Sequence, residues 1–308
     1  MILVTGAMGR IGTAAVAALH ASGVQTRALV PSRCQVPWLD DYEVELLEGE
    51  YDDGRTLGPA LSGITAVILI ARPAADQVES QQRVIDACTE RGIARVVKLS
   101  IAGAADDTHT MAARWHWRTE QHLLQQAAEP CIVRTGRTMQ DLLYQAPLML
   151  AHHMVVGCQG AGRTADPDAR DVGAVLAGLA TTTTPPTDPV LVTGPVALSR
   201  AEMTDRMSQS LGLALRYVSC TAAELEQFLL AAGITRWQME DLVSYEAEAH
   251  DGHWTSVTDA VHRWAGRPAR RFDAFANEIG MSLRYRHEIG TPVARADYTP
   301  TCFSTRSR

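Results

Sequence analysis

The chain lacks most of the features that would send it to a membrane, a nucleic acid or an oxidising compartment. Its longest apolar run, Ile64 to Ala71, is far too short to span a bilayer. Its net charge of −7 leaves no basic field to gather DNA, RNA or anionic lipid. Six cysteines, at 34, 88, 131, 158, 220 and 302, are scattered with no Cys-x-x-Cys pair, the usage of reduced thiols and not of a disulfide or zinc framework. His152-His153 has no third ligand at metal spacing, and no metal is expected. No Gly-x-Ser-x-Gly segment is present, so a hydrolase elbow is absent too. A strand beginning at Ile2 leaves no room for a leader peptide, and a cytoplasmic location is expected.

What is there is the composition of a soluble globular protein of 308 residues, 46% hydrophobic and 20% charged. Up to about Gly136, short β-rich runs alternate with helical stretches. Strands are expected at Ile2–Thr5, Gln25–Val30, Glu43–Glu48, Thr65–Ile70, Arg95–Leu99 and Cys131–Arg134. Helices are expected at Arg10–Ala21, Gln77–Arg91 and Met111–Ala128. Such alternation with buried strands predicts an α/β fold, a Rossmann doubly wound parallel sheet. Later helices are expected at Asp171–Leu179, Arg200–Leu211, Ala222–Ala232, Met239–Ala249 and Thr258–Trp264, with a short strand at Val190–Val192. The predicted division is a cofactor-binding domain over 1–150, a smaller, mostly helical C-terminal domain over 151–280 that covers the carboxyl edge of the sheet, and an irregular tail over 281–308.

The strongest local signal is Thr5-Gly6-Ala7-Met8-Gly9-Arg10-Ile11-Gly12, directly after the first strand and opening the first helix. A helix N-terminus offers free N–H donors and the positive end of a dipole, which suits a pyrophosphate. Gly6 permits the tight turn, Gly9 lets backbone approach the phosphates, and Gly12 lets the helix pack closely. The expected binding residues are Gly6, Met8, Gly9, Arg10, Ile11 and Gly12. An NAD enzyme ordinarily ends its second strand with a ribose-binding carboxylate. Here Val30 is followed by Pro31-Ser32-Arg33, and Arg33 can pair with a 2′-phosphate or stand as a solvated charge. Arg10 is a second candidate for that phosphate, and the expected cofactor is NADP(H). Glu50, after the third strand, is either an adenine contact or a surface carboxylate. Ala71 and Arg72, after the fourth strand, fall where a doubly wound sheet places the ribose and nicotinamide.

Short-chain reductases carry Ser, Tyr and Lys, the last two four apart on a helix. Ser100 follows the fifth strand as that serine would, but the helix after it has no tyrosine. Its matching segment is Arg114-Trp115-His116-Trp117-Arg118-Thr119-Glu120, with His116 and Glu120 four apart on one face. Ser100, His116 and Glu120 are the candidate catalytic residues, with His116 as proton donor near its ordinary pKa of about 6.5. The other reading of His116 and Glu120 is a structural helix pair. Trp115 and Trp117 either wall a flat substrate or pack. Without a strong acid, the chemistry narrows to a quinone or conjugated enone, whose framework delocalises the charge left by hydride.

These motifs make the chain resemble the NmrA-like family of atypical short-chain dehydrogenase/reductases, especially its quinone oxidoreductase-like branch. Besides Val4–Gly9, Val97-Lys98-Leu99-Ser100 and the Arg114–Glu120 helix, the resemblance rests on Met139–Leu143, Asp168-Ala169-Arg170-Asp171-Val172, Leu191–Pro195 and Trp264-Ala265-Gly266-Arg267-Pro268. It runs from Met1 to about Glu278. It implies NADP(H) in a cleft between two domains, and the family also holds sensors of the nicotinamide pool. The chain departs from the pattern at Thr135, Arg137 and Asp141, which the resemblance sets at the nicotinamide end. Three functions follow: an NADPH-dependent reductase of a small conjugated carbonyl or quinone, possible as a homodimer; a non-catalytic NADP(H) sensor that binds a protein; or a redox-neutral isomerase or cyclase.

Overall fold

The computed structural model describes residues 1–288 apart from 51–52, 72–73 and 232–233. The first half is β1 (Ile2–Val4), α1 (Arg10–Ala21), β2 (Thr26–Val30), β3 (Val44–Glu48), α2 (Gly54–Ala60), β4 (Ala66–Leu69), α3 (Gln77–Glu90), β5 (Arg95–Ile101), α4 (Met111–Gln126) and β6 (Glu129–Thr135). Then follow α5 (Ala146–His152), β7 (Met154–Gly157), β8 (Arg163–Thr164), α6 (Ala169–Thr181), β9 (Val190–Val192), β10 (Leu198–Ser199), α7 (Arg200–Leu211) and β11 (Arg216–Ser219). Four helices complete the described chain: α8 (Ala222–Ala231), α9 (Arg236–His250), α10 (Ala260–Ala265) and α11 (Phe272–Glu288).

Seven strands form one parallel sheet in the order β3-β2-β1-β4-β5-β6-β9. The period-2 alternation of strand side chains sorts them between two cores. Ile2, Val4, Ile68, Val97 and Val133 pack toward α1 and α6. Leu3, Val67, Leu69, Val96 and Ile132 pack on the other face toward α2, α3 and α4. In α1, the buried residues Gly12, Ala15, Val16 and Leu19 recur at helix spacing and make the inward stripe. The strand order reverses between β1 and β4, and the crevice for a ligand opens at their carboxyl ends.

The division expected at 150 is not the one observed. β9 pairs in parallel with β6, and α6 lies with α1 in the core of the sheet layer, so residues 169–192 return to the first body. The reason is their apolar content: Val172, Val175, Leu176 and Leu179 of α6 are fully buried against that core. The smaller body is built around Leu142, Met149, Val155, Met203, Met207, Phe272 and Phe275. It carries two short sheets, β7 with β11 and β8 with β10. The tail expected from Met281 also begins too early. α11 runs through Glu288, because Phe272, Phe275, Ala276 and Leu283 continue a buried helical stripe past that point.

Candidate functional site

The Gly6–Gly12 loop has the build of an anion cradle. Gly6 sits at φ +62°, and a β-carbon there would lie 2.8 Å from the Ile70 carbonyl oxygen. A β-carbon on Gly12 would come within 2.2 Å of the Gly6 carbonyl oxygen, so this glycine lets the helix close on the loop itself. Gly9, the N-cap of α1, meets only the Gly6 oxygen at 3.5 Å, which leaves its outer side open. The first turn of α1 has no side-chain cap and no acidic residue. Thr5, which sequence reasoning passed over, anchors the loop. Its buried hydroxyl donates to the Ile70 carbonyl (3.1 Å), and the Ile70 N–H donates back to it (2.9 Å). Met8 and Ile11 are partly buried against the core and shape the loop from behind. These features fit a dinucleotide pyrophosphate on the helix N-terminus.

The adenosine side is more spread out. Arg33 is exposed just after β2, its guanidinium donating to the Leu46 carbonyl and its backbone N–H to Glu48 (2.8 Å). Arg10 reaches across the crevice and donates to the Gln140 carbonyl at 3.2 Å, joining the phosphate loop to the segment after β6. Glu50 is half-buried after β3, and its carbonyl accepts from the Thr56 hydroxyl. Ala71 stands at the end of β4, and Arg72 lies outside the described residues.

The three candidate catalytic residues are brought close but with other partners than expected. Lys98 and Ser100, two apart on β5, face His116 and Glu120, four apart on α4. Lys98 Nζ lies 3.0 Å from His116 Nδ1, and the Ser100 hydroxyl donates to Glu120 at 2.5 Å. Arg134, which is in register with Ser100 on the neighbouring β6, forks onto Glu120 with Nε at 3.0 Å and Nη2 at 2.5 Å. His116 and Glu120 thus share a face but belong to separate pairs. Burial and the Lys98 charge hold His116 well below its ordinary pKa. A neutral imidazole beside a lysine is a poor acid near pH 6.5, which argues against the role expected from its unperturbed value. Burial, opposed in part by Glu120, brings Lys98 down to about 7.

The open space lies beyond this ladder, at the carboxyl ends of β5 and β6. A cavity of about 250 Å³ is bounded there by Ile101–Gly103, by Thr135–Arg137 and by Asp241, Tyr245 and Trp254 from the C-terminal part. Ser100, His116 and Glu120 are not among the described residues that line it. Thr135, Arg137 and Asp141, the three departures from the family pattern, all line it. The Tyr245 and Trp254 rings stack at 5.4 Å with 6° between their planes. They press on backbone: a β-carbon on Gly136 would lie 2.7 Å from Tyr245 Oη, and one on Gly103 3.1 Å from Trp254. Tyr245 donates to the buried Asp166 at 3.1 Å, and burial raises it well above the ordinary phenol range. The aromatic wall is therefore this pair. Trp115 packs edge-on against Trp237, and neither Trp115 nor Trp117 is among the lining residues. A second cavity of about 360 Å³ adjoins and shares Arg137 and Leu242; Tyr144, Leu148, Leu225, Phe228 and Leu229 make it mainly apolar.

Two motifs behind the resemblance prove to be one junction. Asp171 is fully buried and accepts from Arg270 and Arg267 (2.6 Å for the latter), which ties Asp168–Val172 to the segment after Trp264. Asp168 caps α6, accepting from the Arg170 N–H (2.8 Å) and from Gln140 (2.9 Å).

Residues 6–141 match a family model described as NAD(P)H-binding. An NAD(P)H azoreductase of Xenophilus azovorans is 30% identical over 276 residues, which cover 90% of this chain and 96% of that protein. The chain belongs to the NmrA-like family of atypical short-chain dehydrogenase/reductases. It is an NAD(P)H-dependent oxidoreductase. A second relative, a (4-alkanoyl-5-oxo-2,5-dihydrofuran-3-yl)methyl phosphate reductase of Streptomyces griseus, is 30% identical over 280 residues, covering 90% of this chain and 97% of the relative. Among solved structures, the Escherichia coli NADPH-dependent quinone oxidoreductase in complex with NADPH shares the fold with a TM-score of 0.81 at 20% identity, over 91% of this chain and 99% of that one. No helix among the described residues is long and apolar enough to cross a membrane.

Proposed function

We propose that this oxidoreductase takes hydride from NADPH and delivers it to a quinone or conjugated enone whose apolar body extends into the adjoining cavity. The single observation that carries this reading is the flat Tyr245–Trp254 pair stacked over the backbone of Gly103 and Gly136 at the strand ends. A planar conjugated ring is the shape such a wall accepts. The absence of a β2 carboxylate and the presence of Arg33 support NADPH over NADH. The names of two relatives agree in kind, since one reduces a dihydrofuranone and the fold is that of a quinone oxidoreductase.

In this reading the chain's residues divide the work. The Gly6–Gly12 loop and the N-terminus of α1 hold the pyrophosphate. The strand ends at Ile101–Gly103 and Thr135–Gly136 flank the nicotinamide, and the Lys98/His116 and Ser100/Glu120/Arg134 ladder fixes β5 and β6 in register beneath it. Bound NADPH supplies the hydride; Tyr245 and Trp254 orient the acceptor and exclude water. The test is consumption of NADPH against a panel of naphthoquinones, benzoquinones and cyclic enones, with reduced product quantified. One product per NADPH is the expected result. Tight NADP binding with no turnover on any acceptor, or product formed without NADPH loss, overturns it in favour of a sensor or a redox-neutral enzyme.

A further inference from the structure

The cavity at the strand ends contains polar atoms with nothing to bond. Thr135 Oγ1, Asp241 Oδ1 and Trp254 Nε1 are each buried without a hydrogen-bond partner among the described residues, and all three residues line that one cavity. An unpaired buried polar group costs about 1–3 kcal/mol, so three on one small space mark a place for a polar ligand. The set is specific. An indole N–H only donates, a hydroxyl does both, and a carboxyl accepts when ionised and donates when protonated. A carbonyl oxygen that becomes an enolate or phenolate oxygen needs donors on arrival and a proton afterwards.

We propose that Asp241 is a catalytic residue: protonated, it hydrogen-bonds the substrate oxygen and passes its proton to that oxygen as the conjugated framework is reduced, with Trp254 Nε1 and Thr135 Oγ1 ordering the same oxygen. This rests on the reductase reading. Two electrons and one hydrogen arrive at the substrate as hydride, which leaves its oxygen as an enolate or hydroquinone anion. The Asp241 O–H bond breaks, the new O–H bond forms on the substrate, and the aspartate left behind regains a proton from solvent. The neighbours suit such a group. Asp241 sits on α9 beside Glu240, with Tyr245 and Glu248 of the same helix on the cavity wall. From α4 it faces the Ala112 N–H and Arg114, and across the cavity lie Arg137 and Asp141. Burial first, and Glu240 second, raise its carboxyl to about 6, against the lowering pull of Ala112 and Arg114. A group poised there donates and recovers protons near neutral pH.

A capping role for α4 is separable from a proton-transfer role, because the amide oxygen of Asp241→Asn can still face the Ala112 N–H. The probe is 2-naphthol, a product-like phenol that stays protonated across pH 5–8, titrated calorimetrically into the NADP complex. An ionised Asp241 accepts a hydrogen bond from its hydroxyl. Affinity in the wild type and in Asp241→Glu should therefore rise about tenfold from pH 5 to pH 7, and in Asp241→Asn it should be flat. Turnover of 1,4-naphthoquinone by Asp241→Asn should fall about 100-fold, with the NADPH Kd within twofold of wild type. A wild-type affinity that ignores pH, or the same slope in Asp241→Asn, overturns the proposal. So does full turnover in Asp241→Asn, which would leave the reductase reading standing. If the wild type reduces no acceptor, the reductase reading falls and the proposed proton transfer falls with it, whatever the naphthol slope.

Discussion

Lys98 Nζ and His116 Nδ1 lie 3.0 Å apart, on the strand and the helix that lead to the site. Burial and the neighbouring lysine hold the histidine neutral. Its value to the protein is the bond it gives a buried lysine. His116→Ala should lower stability by about 1–3 kcal/mol, the cost of taking one of two partners from a buried lysine nitrogen that keeps only the Leu99 carbonyl. Denaturant titration measures that loss. Turnover per folded molecule should keep its wild-type pH profile; loss of a limb near pH 6 with no change in stability would restore His116 as the acid.

Lys98 predicts how stability varies with pH. An unfolded lysine keeps its proton to about pH 10.4, whereas burial in the fold brings this one down to about 7. Between those values the unfolded chain binds more protons, so this residue's contribution to stability rises with pH from 7 upward. Below 7 the cost of the buried charge is fully felt. Wild type should therefore gain on Lys98→Met by up to about 1.4 kcal/mol per pH unit between pH 7 and 9. Thermal unfolding of both proteins across that window gives the difference.

Glu120 neutralises Arg134 and accepts from Ser100 while only 1% exposed. Glu120→Gln leaves the Arg134 side chain, which is 28% exposed, without its counter-charge, and losing such a charge-assisted bond costs about 1.5–3 kcal/mol. Joint replacement of Glu120 and Arg134 by apolar residues of similar size should recover most of that loss. A double-mutant cycle by chemical denaturation checks both statements; a single variant within 1 kcal/mol of wild type, the order of a surface pair, would contradict them.

Arg33 is exposed at the end of β2, away from the reacting end. Arg33→Ala should weaken NADPH binding about tenfold, the scale of one lost charge-assisted bond, and leave NADH binding unchanged. Calorimetry with the two cofactors reads this directly. Equal loss for both would place Arg33 outside the 2′-phosphate site.

The strongly periodic parts of the fold were legible in the sequence. Arg10–Ala21, Val190–Val192 and Arg200–Leu211 are observed with the bounds that their apolar spacing predicts. Others were hidden for identifiable reasons. α2 contains Gly58 and Pro59, poor helix formers, and β7 and β11 are short and only partly buried, so neither shows a clear period. The site was half legible. The glycine loop advertises itself through local spacing, and the common face of His116 and Glu120 was correctly read from the helix. Their partners were not, because Lys98 and Arg134 come from strands whose register no local pattern reveals. Asp241, Tyr245 and Trp254 lie more than 100 residues from the strand ends they cover, and nothing in their local sequence marks them. The one hint was indirect: Thr135, Arg137 and Asp141, where the chain leaves its family's pattern, all border the same cavity.

The return of β9 to the outer side of β6 has a consequence for dissecting the protein. A fragment ending near residue 150 would contain the whole phosphate loop, yet it would present β6 from Val133 to Thr135 as an open edge and strip α6 from the sheet. Bare edges and uncovered apolar faces recruit other chains, so such a fragment should aggregate on expression and not serve as a portable nucleotide-binding module. The chain is closed by its own later sequence, in the way a clasp closes a strap.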